Sequence, residues 1–262
     1  MKKRIISAIV MILVFVPFLI LGGNFYLVLG SVLGILSLWE IMRLEKDIPA
    51  YMQFLSYMAC LLLILYKHDS IEYYDIINYP IIVSLFFIYS FSVIINGDLK
   101  KYNYKDGLWL FGITVMIGIM FNAIIKIRFI GLYEMLYCLL IATVTDIFAL
   151  FGGKMFGRRK LCKEISPNKT IEGSIVGTVF GTALGVIFYT LLIGNRSIWI
   201  IILLTLILSI FGQLGDLFFS SIKRNHKIKD FSNIIPGHGG ILDRLDSILF
   251  VILGYLLYIL II

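Results

Sequence analysis

A chain of 262 residues that is 60% hydrophobic, only 15% charged and +7 in formal net charge is far more apolar than a soluble domain, where about 45–50% of residues are apolar and about 25% charged. With a mean hydropathy of +0.97, these proportions exclude a soluble globular fold and a disordered chain, and they leave lipid as the cover for the excess apolar surface. Cys60, Cys138 and Cys162 are odd in number and lack CxxC or Cys/His spacing, so they read as small buried hydrophobes and not as a disulfide framework or zinc module. No nucleic-acid partner is expected, because the basic residues alternate with long apolar runs and do not cluster on a soluble face.

A helix crossing the hydrocarbon needs about 20 mostly apolar residues. In chain order such runs are expected near 5–21, 25–42, 51–66, 79–97, 107–126, 130–151, 173–194, 197–219 and 241–262. The expected fold is therefore all-α, a polytopic membrane bundle of about nine transmembrane helices. Met1–Arg4 and the run that continues through Pro17 to Leu21 lack a small-x-small cleavage site, so this segment is expected to be a retained first span. Lys and Arg collect in cytoplasmic loops, which argues for a cytoplasmic N-terminus. That orientation puts Lys2, Lys3, Arg4, Arg43, Lys46, Lys100, Lys101, Lys105, Lys154, Arg158, Arg159, Lys160, Lys163, Lys169, Lys223, Arg224, Lys227 and Lys229 inside. Only Lys67, Lys126, Arg128 and Arg196 fall outside, with Arg244 in the last span.

The first part, residues 1–126, carries no carboxylate deep in a span. Glu40, Glu45 and Asp47 sit at a helix end and Asp69, Glu72 and Asp75 in an outer loop, so this part is expected to be scaffold. Residues 127–262 are expected to form the catalytic region, with two long basic cytoplasmic loops at 152–172 and 220–240. Here acids lie within apolar sequence: Asp146 in Ala142–Ala149, Asp216 in Gln213–Leu217, and Asp243 and Asp246 with Arg244 at the start of the last span. An ionised group in such a place costs a few kcal/mol even on lenient insertion scales and is read by default as functional. All four fall toward the cytoplasmic ends of their helices, and Asp243 and Asp246 share a helix face. Converging carboxylates repel one another, and Mg²⁺ held by one or two of them, with water and phosphate oxygens completing its shell, is a remedy. The alternative is an internal ion-pair network with Arg244 that fixes helix packing.

The loops beside the acids suit phosphate. Lys223, Arg224, Lys227 and Lys229 precede Pro236-Gly-His-Gly-Gly240, whose glycines let backbone N–H groups approach an anion and whose end opens the last helix. A second such region is Phe151–Lys160, followed by Ser166-Pro-Asn-Lys-Thr-Ile-Glu-Gly173. Neither a Walker sequence nor a Rossmann fingerprint occurs. Either basic cluster alone would also suit anionic lipid headgroups. Gly173, Gly177, Gly181 and Gly185 recur every four residues, a small-residue face for close helix packing within the bundle or at the seam of a homodimer, the expected assembly.

The stretch Ser220 to Asp246, with Lys223-Arg224, Lys229-Asp230, Pro236-Gly-His-Gly-Gly240 and Asp243-Arg-Leu-Asp246, resembles the signature of phosphatidate cytidylyltransferases. The resemblance extends upstream through Ser166–Gly173 and Gly212-Gln-Leu-Gly-Asp216, covering roughly residues 140–250. It departs at Asp146-Ile-Phe-Ala-Leu150, where the family typically reads Asp-Thr-Gly-Ala-Tyr. The resemblance implies that phosphatidic acid attacks the α-phosphate of CTP, giving CDP-diacylglycerol and pyrophosphate, at the cytoplasmic face of a bacterial inner membrane. By that resemblance Mg²⁺, with a second or monovalent cation left open, would be held by Asp216 and Asp243, with Asp246 as a ligand or as support behind one. Lys223, Arg224, Lys229 and Lys169 would hold phosphate oxygens, and Ser166, Asn168, Asp230, Gly239 and Asp146 would join the substrate site. Arg244 would orient the acids or reach the lipid phosphate, and His238 would touch phosphate or shape its loop.

Three other classes fit these residues less well. A transporter would place its acids near the midplane, often with repeat symmetry, and a non-catalytic lipid-binding protein would have no need of buried acids. A CDP-alcohol phosphotransferase would carry repeated aspartates beginning Asp-x-x-Asp-Gly within one helix, and the sequence has none.

Overall fold

The computed structural model describes residues 2–45, 48–67, 79–99, 102–194 and 196–261, with backbone alone for residues 2–5 and 79. Lys46, Asp47, Asp69, Glu72, Asp75, Lys100 and Lys101 lie outside this set, as do the side chains of Lys2, Lys3 and Arg4. Among the described residues nine helices follow one another: α1 (Lys2–Leu21), α2 (Gly23–Met42), α3 (Ala50–Leu65), α4 (Tyr79–Asn96), α5 (Tyr104–Ile130), α6 (Leu132–Phe156), α7 (Ile171–Leu192), α8 (Ile198–Asn225) and α9 (Leu242–Ile261). Six of them, α2 and α5 to α9, are long and apolar enough to cross a membrane, and the apolar parts of α1, α3 and α4 are shorter. Large apolar side chains such as Leu191, Trp199 and Ile95 lie about three-quarters exposed on helix surfaces. Backbone bonded within each helix and apolar side chains facing outward are what lipid requires. The chain is a multi-pass membrane protein.

One feature of the 152–172 segment differs from a plain loop. α6 runs on to Phe156, and β1 (Lys160–Cys162) then pairs antiparallel with β2 (Ser166–Thr170), Lys160 opposite Thr170 and Cys162 opposite Ser166 with an irregularity between. β2 leads directly into α7, whose N-terminus is capped by the Thr170 hydroxyl accepting from the Gly173 N–H at 3.1 Å.

The chain divides into two compact units, Met1–Phe129 and Ile130–Ile262. In the first, polar groups on α5 satisfy the open carbonyls of neighbouring helix ends, which would otherwise be stranded in apolar surroundings. Asn122 donates to the Ile64 and Tyr66 carbonyls at 2.9 and 2.8 Å, closing α3. Arg128 donates to the Leu19 and Ile20 carbonyls at 2.7 and 3.0 Å, closing α1 ahead of the turn at Gly22 (φ +64°). The Tyr89 hydroxyl of α4 lies 2.8 Å from Ser56 Oγ on α3 and 3.2 Å from Thr114 Oγ1 on α5.

In the second unit α7 lies against α6 through its glycines. A Cβ on Gly173 would stand 2.5 Å from the Ala149 carbonyl oxygen, and one on Gly177 2.6 Å from that of Thr145. The small-residue face is thus used inside the bundle. α8 meets α9 in the same way at Gly215, where a Cβ would reach the Asp246 carbonyl oxygen at 2.7 Å. A ladder of polar pairs ties α6, α7 and α8 together: Tyr137 to Thr205 at 2.7 Å, Thr145 to Ser209 at 2.8 Å, and Gln213 Nε2 donating to Thr178 Oγ1 at 2.8 Å. Gly177→Ala is expected to destabilise the protein by about 1–3 kcal/mol through overpacking. Gly112→Ala on α5, where no neighbouring atom lies within 4 Å, is expected to be neutral or stabilising. Thermal unfolding of the two variants in one detergent checks the pair; equal melting temperatures would contradict the role given to the α6–α7 contact.

Candidate active site

The acids picked out by their apolar surroundings come together. A cavity of about 730 Å³ is lined by Asp146, Leu150, Gly153 and Lys154 of α6, by Asn168, Lys169 and Thr170 at the end of β2, and by Ser174 of α7. Gln213, Asp216 and Lys223 of α8, Asp230 of the following loop, and Asp243, Arg244 and Asp246 of α9 form the rest of its polar wall, with Ala149 and Leu161 adding apolar surface. The volume falls within the usual range of small-molecule sites, about 300–1,000 Å³.

Helical spacing explains the α8 wall. Asp216, Ser220 and Lys223 stand one and two turns apart on one face, and Ser220 Oγ donates to Asp216 Oδ1 at 3.1 Å. The other oxygen of Asp216 pairs with the Lys169 ammonium, which β2 brings from the opposite side of the cavity. Both members of this pair are about one-quarter exposed, 27% for Lys169 and 26% for Asp216. The pair is therefore reachable from solvent. Asp146 accepts from Ser247 Oγ at 2.9 Å, and Asp246 accepts from the Ser247 N–H at 2.9 Å, so one serine links α6 to α9. Asp146, Asp216 and Asp246 all face the same cavity from α6, α8 and α9.

Asp243 has a different environment. Its Oδ1 accepts from Lys223 Nζ at 2.7 Å, and its Oδ2 accepts from the N–H groups of Phe231 at 2.8 Å and Gly240 at 2.9 Å. The side chains of the ion pair are nearly shut off from solvent, 8% exposed for Lys223 and 4% for Asp243. Lys223 also lies 5.2 Å from the centre of the Phe231 ring. In this structure the Gly240 N–H of the glycine-rich stretch, together with the N–H of Phe231 ahead of it, holds the carboxylate of Asp243 itself. Gly239 (φ +87°) has a backbone that only glycine adopts easily, and a Cβ there would meet Asp243 Oδ2 at 3.0 Å. The N–H groups of His238 and Gly239 both donate to the Ile235 carbonyl, closing a tight turn.

The Arg244 guanidinium lines the cavity and donates to the His238 carbonyl, 2.9 Å from Nε, tying α9 to the loop. Arg224 lies outside the cavity wall and donates to the Ile165 and Ile228 carbonyls at 3.2 and 2.8 Å, joining the hairpin turn to the loop after α8. Ser166, Lys229, His238 and Gly239 do not line the cavity. Among the described residues no group of three or more His, Cys, Asp or Glu side chains is arranged as a ready-made metal cage.

The chain matches the cytidylyltransferase family over residues 2–262. It belongs to that family. Its relatives include phosphatidate cytidylyltransferases of Staphylococcus haemolyticus, 34% identical over 257 residues, and of Staphylococcus aureus, 35% identical over 257 residues. A third, from Staphylococcus epidermidis, is 33% identical, and in all three the alignment covers 96% of each chain.

Within this family member the departure after Asp146 acquires a physical meaning. Phe148 turns to α7 and stacks on Phe180 with ring centres 4.2 Å apart. Leu150 forms apolar cavity wall, and Ile147, Leu150 and Phe151 are half-exposed or more on the outer surface of α6. Several site residues were not singled out from the sequence: Lys154, Ser174, Gln213 and Ser247. Spacing carried a signal for two of them, since Gln213 precedes Asp216 by three residues and Ser174 follows Thr170 by four, placing each on the cavity side of its helix.

Proposed function

We propose that this chain transfers the cytidylyl group of CTP to phosphatidic acid, forming CDP-diacylglycerol and releasing pyrophosphate. The observation that carries this reading is the convergence of Asp146, Asp216 and Asp246 with Lys154, Lys169 and Arg244 on one cavity, in a chain whose relatives are named phosphatidate cytidylyltransferase. A phosphate oxygen of the lipid attacks the α-phosphorus, a new P–O bond forms, and the bond to the β-phosphate bridge oxygen breaks. The nucleophile is already an anion, so the site has to neutralise charge and align the reactants and needs no strong base. Lys169 and Lys154 hold the triphosphate from the β2 and α6 sides. Arg244, fixed by the His238 carbonyl, holds the lipid phosphate.

The donor set suits Mg²⁺. Asp216 and Asp246 offer hard oxygens on adjacent helices, Asp216 already attracts the Lys169 cation, and one or two carboxylates suffice for this ion. When bound there, Mg²⁺ would neutralise triphosphate charge; a second or monovalent cation would fall to Asp146. Asp243 has both oxygens occupied by Lys223 and by loop N–H groups, which supports a positioning role for it. The half-exposed Ile147, Leu150 and Phe151 support lateral entry of acyl chains from the bilayer beside α6. The distribution of Lys and Arg supports a cytoplasmic N-terminus and a cytoplasmic site, in the inner membrane of a bacterium. The α7 glycines are used within the bundle and lend a homodimer no support, so that assembly rests on a mass measurement in detergent.

Purified protein given labelled CTP, phosphatidic acid and Mg²⁺ is expected to form labelled CDP-diacylglycerol, and to stop when the divalent cation is chelated. Absence of product in a well-folded preparation would refute the assignment.

A further inference from the structure

On the other side of the α6–α7 contact lies a second cavity, of about 640 Å³, whose floor is Met155, Phe156, Ile171 and Ile175. These four are among the exposed large apolar side chains, at 72%, 57%, 38% and 59%. Over this floor stand Arg158 and Arg159. Their backbone N–H groups donate to the Glu172 carboxylate at 3.0 and 3.1 Å, so the loop is fixed by its main chain while the guanidinium groups remain exposed. Neither guanidinium makes a hydrogen bond or a salt bridge among the described residues; the Glu172 carboxylate, which also lines this cavity, is bound by the two backbone N–H groups and feels the Arg159 charge, leaving the two guanidinium groups in excess over one carboxylate. The contact of Gly152 with Val176 and of Gly153 with Gly173 separates this cavity from the one lined by Asp216 and Asp246.

We propose that this cavity is a binding site for an anionic phospholipid of the bilayer, distinct from the reacting lipid. The 25 residues of α6 span about 37 Å, more than the roughly 30 Å of hydrocarbon, so the end of α6 at Phe156 reaches the headgroup layer. Two guanidinium groups at that depth match a headgroup phosphate, to which Arg binds in a two-pronged geometry. The exposed apolar residues continue from Ile175 to Val179, one turn deeper into the membrane, as a track for an acyl chain. Charge above and apolar surface below select a lipid over a soluble anion. The bound lipid would brace the segment that joins α6 to the hairpin carrying Lys169.

The test uses the full chain in neutral detergent with equal amounts of phosphatidylglycerol and phosphatidylcholine of the same acyl chains, read by native mass spectrometry. The wild type is expected to retain one phosphatidylglycerol in preference to phosphatidylcholine. Arg158→Gln/Arg159→Gln is expected to lower that preference by roughly fivefold or more per guanidinium, while Lys163→Gln/Lys227→Gln keeps it. A photoreactive phosphatidylglycerol should label the peptides holding Met155–Arg159 or Ile171–Ile175. Equal retention of the two lipids, equal losses in both double variants, or labelling confined to the peptides of Asp216 and Asp243 would each overturn the site. No CTP is present, so the outcome is independent of the cytidylyl assignment.

Discussion

Asp216→Asn is expected to lower the turnover of CTP and phosphatidic acid by about 10³-fold, the scale on which loss of one group stabilising transition-state charge is felt, while leaving the fold intact. The side chain is 26% exposed, and asparagine keeps its shape and its ability to accept from Ser220, whose hydroxyl donates to it at 3.1 Å. What is lost is a negative charge facing Lys169. That charge has two opposite effects. Under the proposed assignment it would supply a cation ligand when Mg²⁺ is present; without Mg²⁺ it would compete with the triphosphate for Lys169 and repel it. CTP binding measured by calorimetry in the presence of a chelator should therefore stay equal or tighten in Asp216→Asn, whereas binding with Mg²⁺ should weaken. A variant that turns over within tenfold of wild type, or that loses CTP affinity equally in both conditions, would remove Asp216 from the role assigned to it.

Much of the architecture was legible because membrane burial is a local constraint. A run of apolar residues long enough to span must be helical, and the expected 130–151 and 197–219 became Leu132–Phe156 and Ile198–Asn225. The ends were missed where polarity rises before the helix stops. α8 continues six residues past 219 because Ser220, Ile222 and Lys223 still pack inward, and this moved Lys223 from a loop to a buried helix face. The hairpin of β1 and β2 was not legible: its strands are short, charged and interrupted by Pro167, and carry no apolar alternation. Side-chain partners were the hardest to read. Glycines followed by the start of a helix make a nest for any anion, and the local pattern is the same whether the anion is a phosphate or the carboxylate of Asp243. Arg224 shows the same limit, since its carbonyl partners, Ile165 and Ile228, include one far away in sequence. The acids themselves stood out because each was costly where it lay.

Asp243→Ala is expected to be the most destabilising of the single acid substitutions at the cavity, by about 3–5 kcal/mol, because it leaves the Lys223 ammonium buried without its partner. It also frees the N–H groups of Phe231 and Gly240 that Asp243 accepts from at 2.8 and 2.9 Å, so the loop from 226 to 240 should lose its protection from hydrogen exchange. Lys223→Met is expected to cost less, since a carboxylate bonded to two N–H groups keeps most of its stabilisation and the methionine retains the packing against Phe231. The order of the two singles discriminates a loop anchor from a group that only touches substrate. Combining Asp243→Ala with Lys223→Met removes the stranded cation, and the double variant should recover part of the stability lost in Asp243→Ala, a coupling of neighbours of about 0.5–3 kcal/mol. Turnover should stay low in the double variant, because the loop that fixes Arg244 through the His238 carbonyl remains unpinned. Additive stabilities in the cycle, or a loop as protected in Asp243→Ala as in the wild type, would show that Asp243 does not hold this loop and would return it to the set of candidate cation ligands.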